Sequence, residues 1–168
     1  MKKALLLVIF LGVISAISGL SVGLVNSVTE PIIEERLLAA ERENLEKMYP
    51  GAEFAPVEIK DESGFIDGVY AVNGAQHAVK LHTTGYNSGT PIILLVGFDA
   101  EGTIEGVVCL QQQETDGFGA RVFQAENIES LFVGKTVDQS TDLLSGATVT
   151  STACQKAIAA AQALVKGL

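Results

Sequence analysis

The chain opens with an apolar run, residues 4–29, that carries no charged side chain, and about 20 such residues are enough for a helix to cross a bilayer. The pattern changes at Glu30. Residues 31–49 set Ile33, Leu37, Leu38, Leu45 and Met48 among Glu, Arg and Lys, an incomplete apolar stripe on helix-forming sequence that ends at Pro50-Gly51. Pro31 suits the first turn of a new helix, so the segment predicts a helical stalk, solvated on one side and packed on its own domain. From Phe54 to Gln113 the period shortens to that of strands. Val69–Val72 and Gln76–Thr83 flank Asn73-Gly74, and Ile92–Phe98 and Thr103–Leu110 flank Asp99–Gly102, which predicts two hairpins and an antiparallel sheet. Residues 120–131 read as a helix, and the Ala-rich run 153–165 as the last one. The expected fold is α+β: an N-terminal transmembrane helix (1–29), a stalk (30–50), then an antiparallel-sheet domain with flanking helices (51–168).

Charge narrows the function. The net charge is −9 and no Lys/Arg cluster occurs, so nucleic acid, which needs a basic face against its phosphates, is excluded as a partner. Lys2 and Lys3 precede the apolar run while Glu30, Glu34 and Glu35 follow it, which places the N-terminus in the cytoplasm and the domain outside by the positive-inside rule. A cleaved signal peptide ending near Ala16-Ile17-Ser18 is the competing reading. It conflicts with apolar character that continues through Leu24, Val25 and Val28, well past the usual h-region of about 7–15 residues.

The two cysteines, Cys109 and Cys154, lack metal-ligand spacing and sit among apolar or small residues, which suits buried free thiols, with one disulfide open to an exported domain. His77 and His82 are five apart on one predicted strand and so point to opposite faces, which prevents them from sharing a metal. No Ser-His-Asp, HExxH, P-loop or GxGxxG pattern is present, and the chain offers no nucleophile and base of its own.

The stretch that concentrates chemistry is Asp142 to Ser151. Four hydroxyls, Ser145, Thr148, Thr150 and Ser151, surround Gly146 and Ala147 immediately before strong helix formers. A helix N-terminus favours an anion such as a phosphate, and the small residues let a ligand approach the backbone. The same hydroxyls would also serve as plain helix caps, the commoner use of Ser and Thr there.

Asp142-x-x-Ser145-Gly146-Ala147-Thr148 resembles the flavinylation motif of the FMN-binding domain family, whose members include subunits of Rnf-type and Na+-translocating NADH:quinone oxidoreductase complexes. Glu114-Thr115-Asp116-Gly117-Phe118-Gly119 is similar to the family's Glu-Thr-Pro-Gly-Leu-Gly loop, with Asp116 and Phe118 in place of Pro and Leu, and Gly85-Tyr86 lies upstream at the corresponding place. The resemblance implies that Thr148 is esterified to the phosphate of FMN by a separate Mg-dependent flavin transferase that uses FAD. It implies cofactor-binding roles for Glu114, Thr115, Gly117, Gly119, Asp142, Ser145, Gly146, Ala147 and Thr150.

The implied protein is an electron-transfer subunit in the cell membrane without a complete active site of its own. Its implied partners are the flavin transferase and the other membrane subunits of an Rnf-type complex, which couples ferredoxin:NAD+ electron transfer to translocation of Na+ or H+. The short chain favours that assignment over a C subunit of the quinone reductase. A stand-alone anchored flavoprotein that serves an extracellular acceptor is a further alternative, and an anchored binding or sensing domain without flavin is one of a different class.

Overall fold

A computed structural model describes residues 2–136 and 142–168. The chain divides into two compact units, residues 1–39 and 40–168. Helix α1 (Lys2–Met48) supplies the described residues of the first unit and enters the second with its last turns.

In the first unit, Leu6, Phe10, Ile17, Leu24, Val28 and their apolar neighbours are exposed around the whole circumference. This is the only helix among the described residues that is long and apolar enough to cross a membrane; a helix apolar on every side suits lipid rather than water. The helix does not restart at Pro31 as expected but runs through it. A proline ring fixes a helical φ and removes one backbone donor, while in the preceding turn Ser27 and Thr29 fold their hydroxyls back onto the carbonyls of Leu24 and Val25 at 2.9 Å each.

In the second unit the sheet is a five-stranded antiparallel meander: β1 (Phe54–Val57), β2 (Ile66–Val72), β3 (Gln76–Thr83), β4 (Ile92–Phe98) and β5 (Ile104–Gln111), paired in chain order. The β2–β3 turn is built by Asn73 (φ 50°) and Gly74 (φ 80°), the two positive φ values of the twist-matched hairpin turn. The β4–β5 turn is held by Asp99, whose Oδ1 accepts the amides of Glu101 at 2.9 Å and Thr103 at 2.7 Å.

Alternation along the strands gives the sheet two covered faces. Val79, Leu81, Leu94, Val96, Phe98 and Val107 face one core with Cys154, Ala157, Ile158 and Ala161 of the C-terminal helix α4 (Thr148–Val165). Ala78, Leu95 and Val72 face a smaller core with Leu45 and Tyr49. The stalk's apolar positions therefore part company. Leu45 is buried and Met48 packs beside it, whereas Ile33 and Leu38 stay exposed. Gly97 and Gly106 are partners across β4 and β5; a Cβ on Gly97 would run into Met48 and Tyr49, while one on Gly106 would just touch Met48 at 3.4 Å, so Gly97 is the seat that lets the end of α1 lie against the sheet. Lys80 reinforces the contact by donating to Glu41 at 2.7 Å.

The helix expected over 120–131 is two pieces: a 3-10 turn, α2 (Gly119–Phe123), and α3 (Ala125–Leu131). Gln124 is extended between them at φ −69°, ψ 139°. Asn127 stabilises the break, donating its side-chain amide to the Arg121 carbonyl at 2.7 Å. Both cysteines are free thiols, and burial pushes the pKa of each up to about 12. His77 and His82 do not meet: the Nδ1 of His77 is buried without a partner, while that of His82 lies 2.7 Å from Asp67.

Candidate functional site

Three segments converge beside the N-terminus of α4. The first is the loop after β3, with Gly85, Tyr86 and Asn87; the second is the turn Glu114–Gly119; the third is the turn Ser145-Gly146-Ala147 leading into the helix. Gly146 takes φ +81°, a conformation that favours glycine, and so lets the Ala147 amide reach back to the Leu144 carbonyl at 2.9 Å.

The helix begins at Thr148, five residues before the Ala-rich run, and its N-cap Ala147 contributes no side-chain cap. The four hydroxyls are thereby sorted. Ser151 is buried and donates to the Ala147 carbonyl at 2.8 Å, and Thr150 is buried and donates to Glu114 Oε2 at 2.6 Å. Thr148 and Ser145 are exposed. Capping by hydroxyl side chains, the plainer reading of the sequence, is not what these residues do.

A cavity of about 520 Å3 opens between the three segments, within the range of small-molecule sites. Of the residues expected to contact a cofactor, Glu114, Thr115, Gly119, Gly146, Ala147, Thr148 and Thr150 line it. Gly117, Asp142 and Ser145 do not. Gly117 turns the loop at φ +77°, and the Asp142 carbonyl accepts the side-chain amide of Gln155 at 3.1 Å.

Three further residues complete the wall: Tyr86, Phe118 and Val149. Tyr86 is 76% exposed, Phe118 61% and Val149 55%, and Leu143, which does not line the cavity, is 46% exposed. Apart from the last residue, Leu168, these are the exposed large apolar side chains of the second unit among its described residues. The meeting of Tyr86, Phe118 and Val149 at one cavity marks a binding surface. Phe118, which departs from the family loop, supplies an aromatic face there.

Thr148 and Val149 also border a second, more open cavity of about 650 Å3, which His82, Thr84, Thr152 and Lys156 help to line. Behind Gly146, the nearest group that a Cβ would meet is the guanidinium of Arg121 at 4.0 Å. Thr148 therefore has an apolar, aromatic space on one side and cationic side chains within the same neighbourhood. Neither Arg121 nor Lys156 belongs to the motif: Arg121 comes from α2, and Lys156 lies further along α4, where it lines the second cavity. The lining suits a flat aromatic ring joined to an anion: the rings of Tyr86 and Phe118 offer apolar faces, and the cations with the helix N-terminus suit a phosphate. No group of three or more His, Cys, Asp or Glu among the described residues is placed to hold a metal ion.

The sheet with its crossing helix and this cavity define a cofactor-holding α+β domain, and residues 85–163 match the FMN-binding domain family. The chain thus carries an FMN-binding domain. It is also 33% identical over 122 residues to the G subunit of the ion-translocating oxidoreductase complex of Cereibacter sphaeroides, a match covering 68% of this chain and 56% of the relative. The chain spans just over half the length of that curated relative.

Proposed function

We propose that this protein is a membrane-anchored electron-transfer subunit that carries FMN in phosphoester linkage to Thr148, within an ion-translocating oxidoreductase complex of the Rnf type. The observation that carries the reading is the sorting of hydroxyls: Thr148 is exposed and lines the aromatic-rimmed cavity, while Thr150 and Ser151 are buried and already bonded. A flavin transferase joins the Thr148 Oγ to the FMN phosphorus of FAD. The pyrophosphate P–O bond breaks, AMP leaves, and the hydroxyl proton is released.

The flavin, when bound, supplies the electron chemistry. The chain's own residues hold it. Tyr86 and Phe118 would face the ring, Gly146 would give room for close approach, and Arg121 and Lys156 would offset the phosphate charge. With no substrate-converting residues of its own, the domain passes electrons between neighbouring proteins, and the aromatic rim marks the face presented to them. The assignment to an Rnf-type complex is supported by the similarity to the Cereibacter sphaeroides protein.

The test is transferase dependence. Denatured protein on a gel should fluoresce under ultraviolet light when produced with a flavin transferase and stay dark without one. Its absence under both conditions would replace this reading by a non-redox binding domain.

The apolar helix anchors the chain with its N-terminus inside, an orientation supported by Lys2 and Lys3 on one side and the acidic residues on the other. A reporter fused after Leu168 is expected to be active only outside the cytoplasm. Activity inside the cell would reverse the orientation.

A further inference from the structure

Glu114 is a carboxylate at the cavity wall, 8% exposed, and three neutral donors hold it. Thr150 donates its hydroxyl to Oε2 at 2.6 Å; the Tyr86 amide reaches the same oxygen at 3.3 Å, and the Asn87 amide reaches Oε1 at 3.0 Å. The donors come from the other two segments that build the cavity, so this one side chain ties all three together. Two glycines make room for it. A Cβ on Gly85 would lie 2.7 Å from Oε1, and one on Gly119 would overlap Oε2. An ionised carboxylate accepts at both oxygens and donates nothing, which matches a surround made only of donors.

We infer that Glu114 is a positioning residue with two effects: it pins the backbone of Tyr86 at the cavity mouth, and it fixes a negative charge in the wall that lowers the electron affinity of the flavin. The inference rests on the flavin reading of the cavity. Tyr86 is largely exposed, so its place is set by its backbone anchor more than by packing. A charge held by neutral dipoles is not cancelled. In a wall partly shielded from water it opposes the arrival of further negative charge on a neighbouring group, which an added electron brings.

Glu114→Gln keeps the shape, removes the charge and turns an amide NH2 towards a donor. In the full chain in detergent, hydrogen exchange at the Tyr86 and Asn87 amides is expected to quicken at least tenfold. The midpoint potential of the Thr148-bound flavin, read on the flavin-bearing fraction, is expected to rise. Thr150→Val loosens the same network with the charge retained; it should quicken exchange at Tyr86 without raising the potential, and it also serves if the Gln variant does not fold. Unchanged exchange in both variants would overturn the anchoring role. An unchanged potential in Glu114→Gln, or an equal rise in Thr150→Val, would overturn the electrostatic one. Wild-type protein without flavin would instead sink the functional reading and the electrostatic role with it, and the exchange data would still decide the anchor.

Discussion

Replacing Thr148 by Ala is expected to abolish covalently bound flavin and leave the domain folded. The ester requires an oxygen at this position, so the loss should be complete. The fold should barely respond, because Thr148 is exposed at the first position of its helix and the cap there is Ala147, whose side chain makes no capping bond. Surface changes of this kind fall within about 0.5 kcal/mol of wild type. Thr148→Ser keeps the hydroxyl and should retain part of the modification. The alternative acceptors make contrasting predictions. Thr150→Val should disturb the Glu114 network yet leave the ester in place, and Ser145→Ala should leave it intact. In-gel fluorescence beside urea unfolding separates loss of flavin from loss of fold. In membranes, Thr148→Ala should also remove ferredoxin-dependent NAD+ reduction and the ion gradient coupled to it. Survival of that activity at the wild-type level, with reduction of an extracellular acceptor lost, would replace the complex by a stand-alone flavoprotein.

Lys80→Met is expected to cost about 3–5 kcal/mol, the range for leaving one member of a buried ion pair alone. Glu41 retains 3% side-chain exposure and Lys80 18%, with 2.7 Å between them, so water cannot make up for a missing partner. Oε1 of Glu41 makes no hydrogen bond, and the nearby Tyr70 hydroxyl, its pKa raised to about 12 first by burial and then by this carboxylate, is too weak a donor to replace an ammonium. Replacing both residues, Glu41→Leu with Lys80→Met, removes the charge together with its partner and should recover most of the lost stability. A double-mutant cycle on the full chain, read by urea unfolding, measures the coupling. Additive losses would mean that the two side chains do not act as a pair.

Much of this architecture follows from local pattern. The Asn73-Gly74 and Asp99–Gly102 turns lie where alternation breaks, because a tight hairpin needs backbone conformations that few residues supply. The apolar N-terminal helix and the C-terminal Ala-rich helix are legible for the same reason: composition and period are local properties. What the sequence conceals is contact between distant segments. Helix propensity places the last helix at Ala153. Its start at Thr148, which buries Thr150 and Ser151, depends on the carboxylate of Glu114, 36 residues from its Thr150 partner. The break at Gln124 interrupts helix-forming sequence and depends on an amide from Asn127. The burial of Leu45 and the packing of Met48 beside it depend on Gly97, which marks no turn and looks like a lapse in its strand. Within the motif, spacing brings Ser145 and Asp142 forward as readily as Thr148. Only three-dimensional placement separates a residue on the cavity wall from one beside it; it adds Val149, and it puts on that wall Tyr86, which the sequence marks only as part of Gly85-Tyr86, 62 positions upstream of Thr148.

The most direct test of the account is fragmentation mass spectrometry on the flavin-bearing peptide that spans Asp142 to Ser151, from protein extracted from its membrane. Attachment at Ser145, Thr148 or Thr150 gives the same peptide mass, so only fragment ions that bracket each hydroxyl can distinguish them. The account predicts FMN phosphate on Thr148, with Ser145 and Thr150 unmodified. A label on Ser145 or Thr150, or a peptide from transferase-expressing cells that carries no flavin, would contradict it.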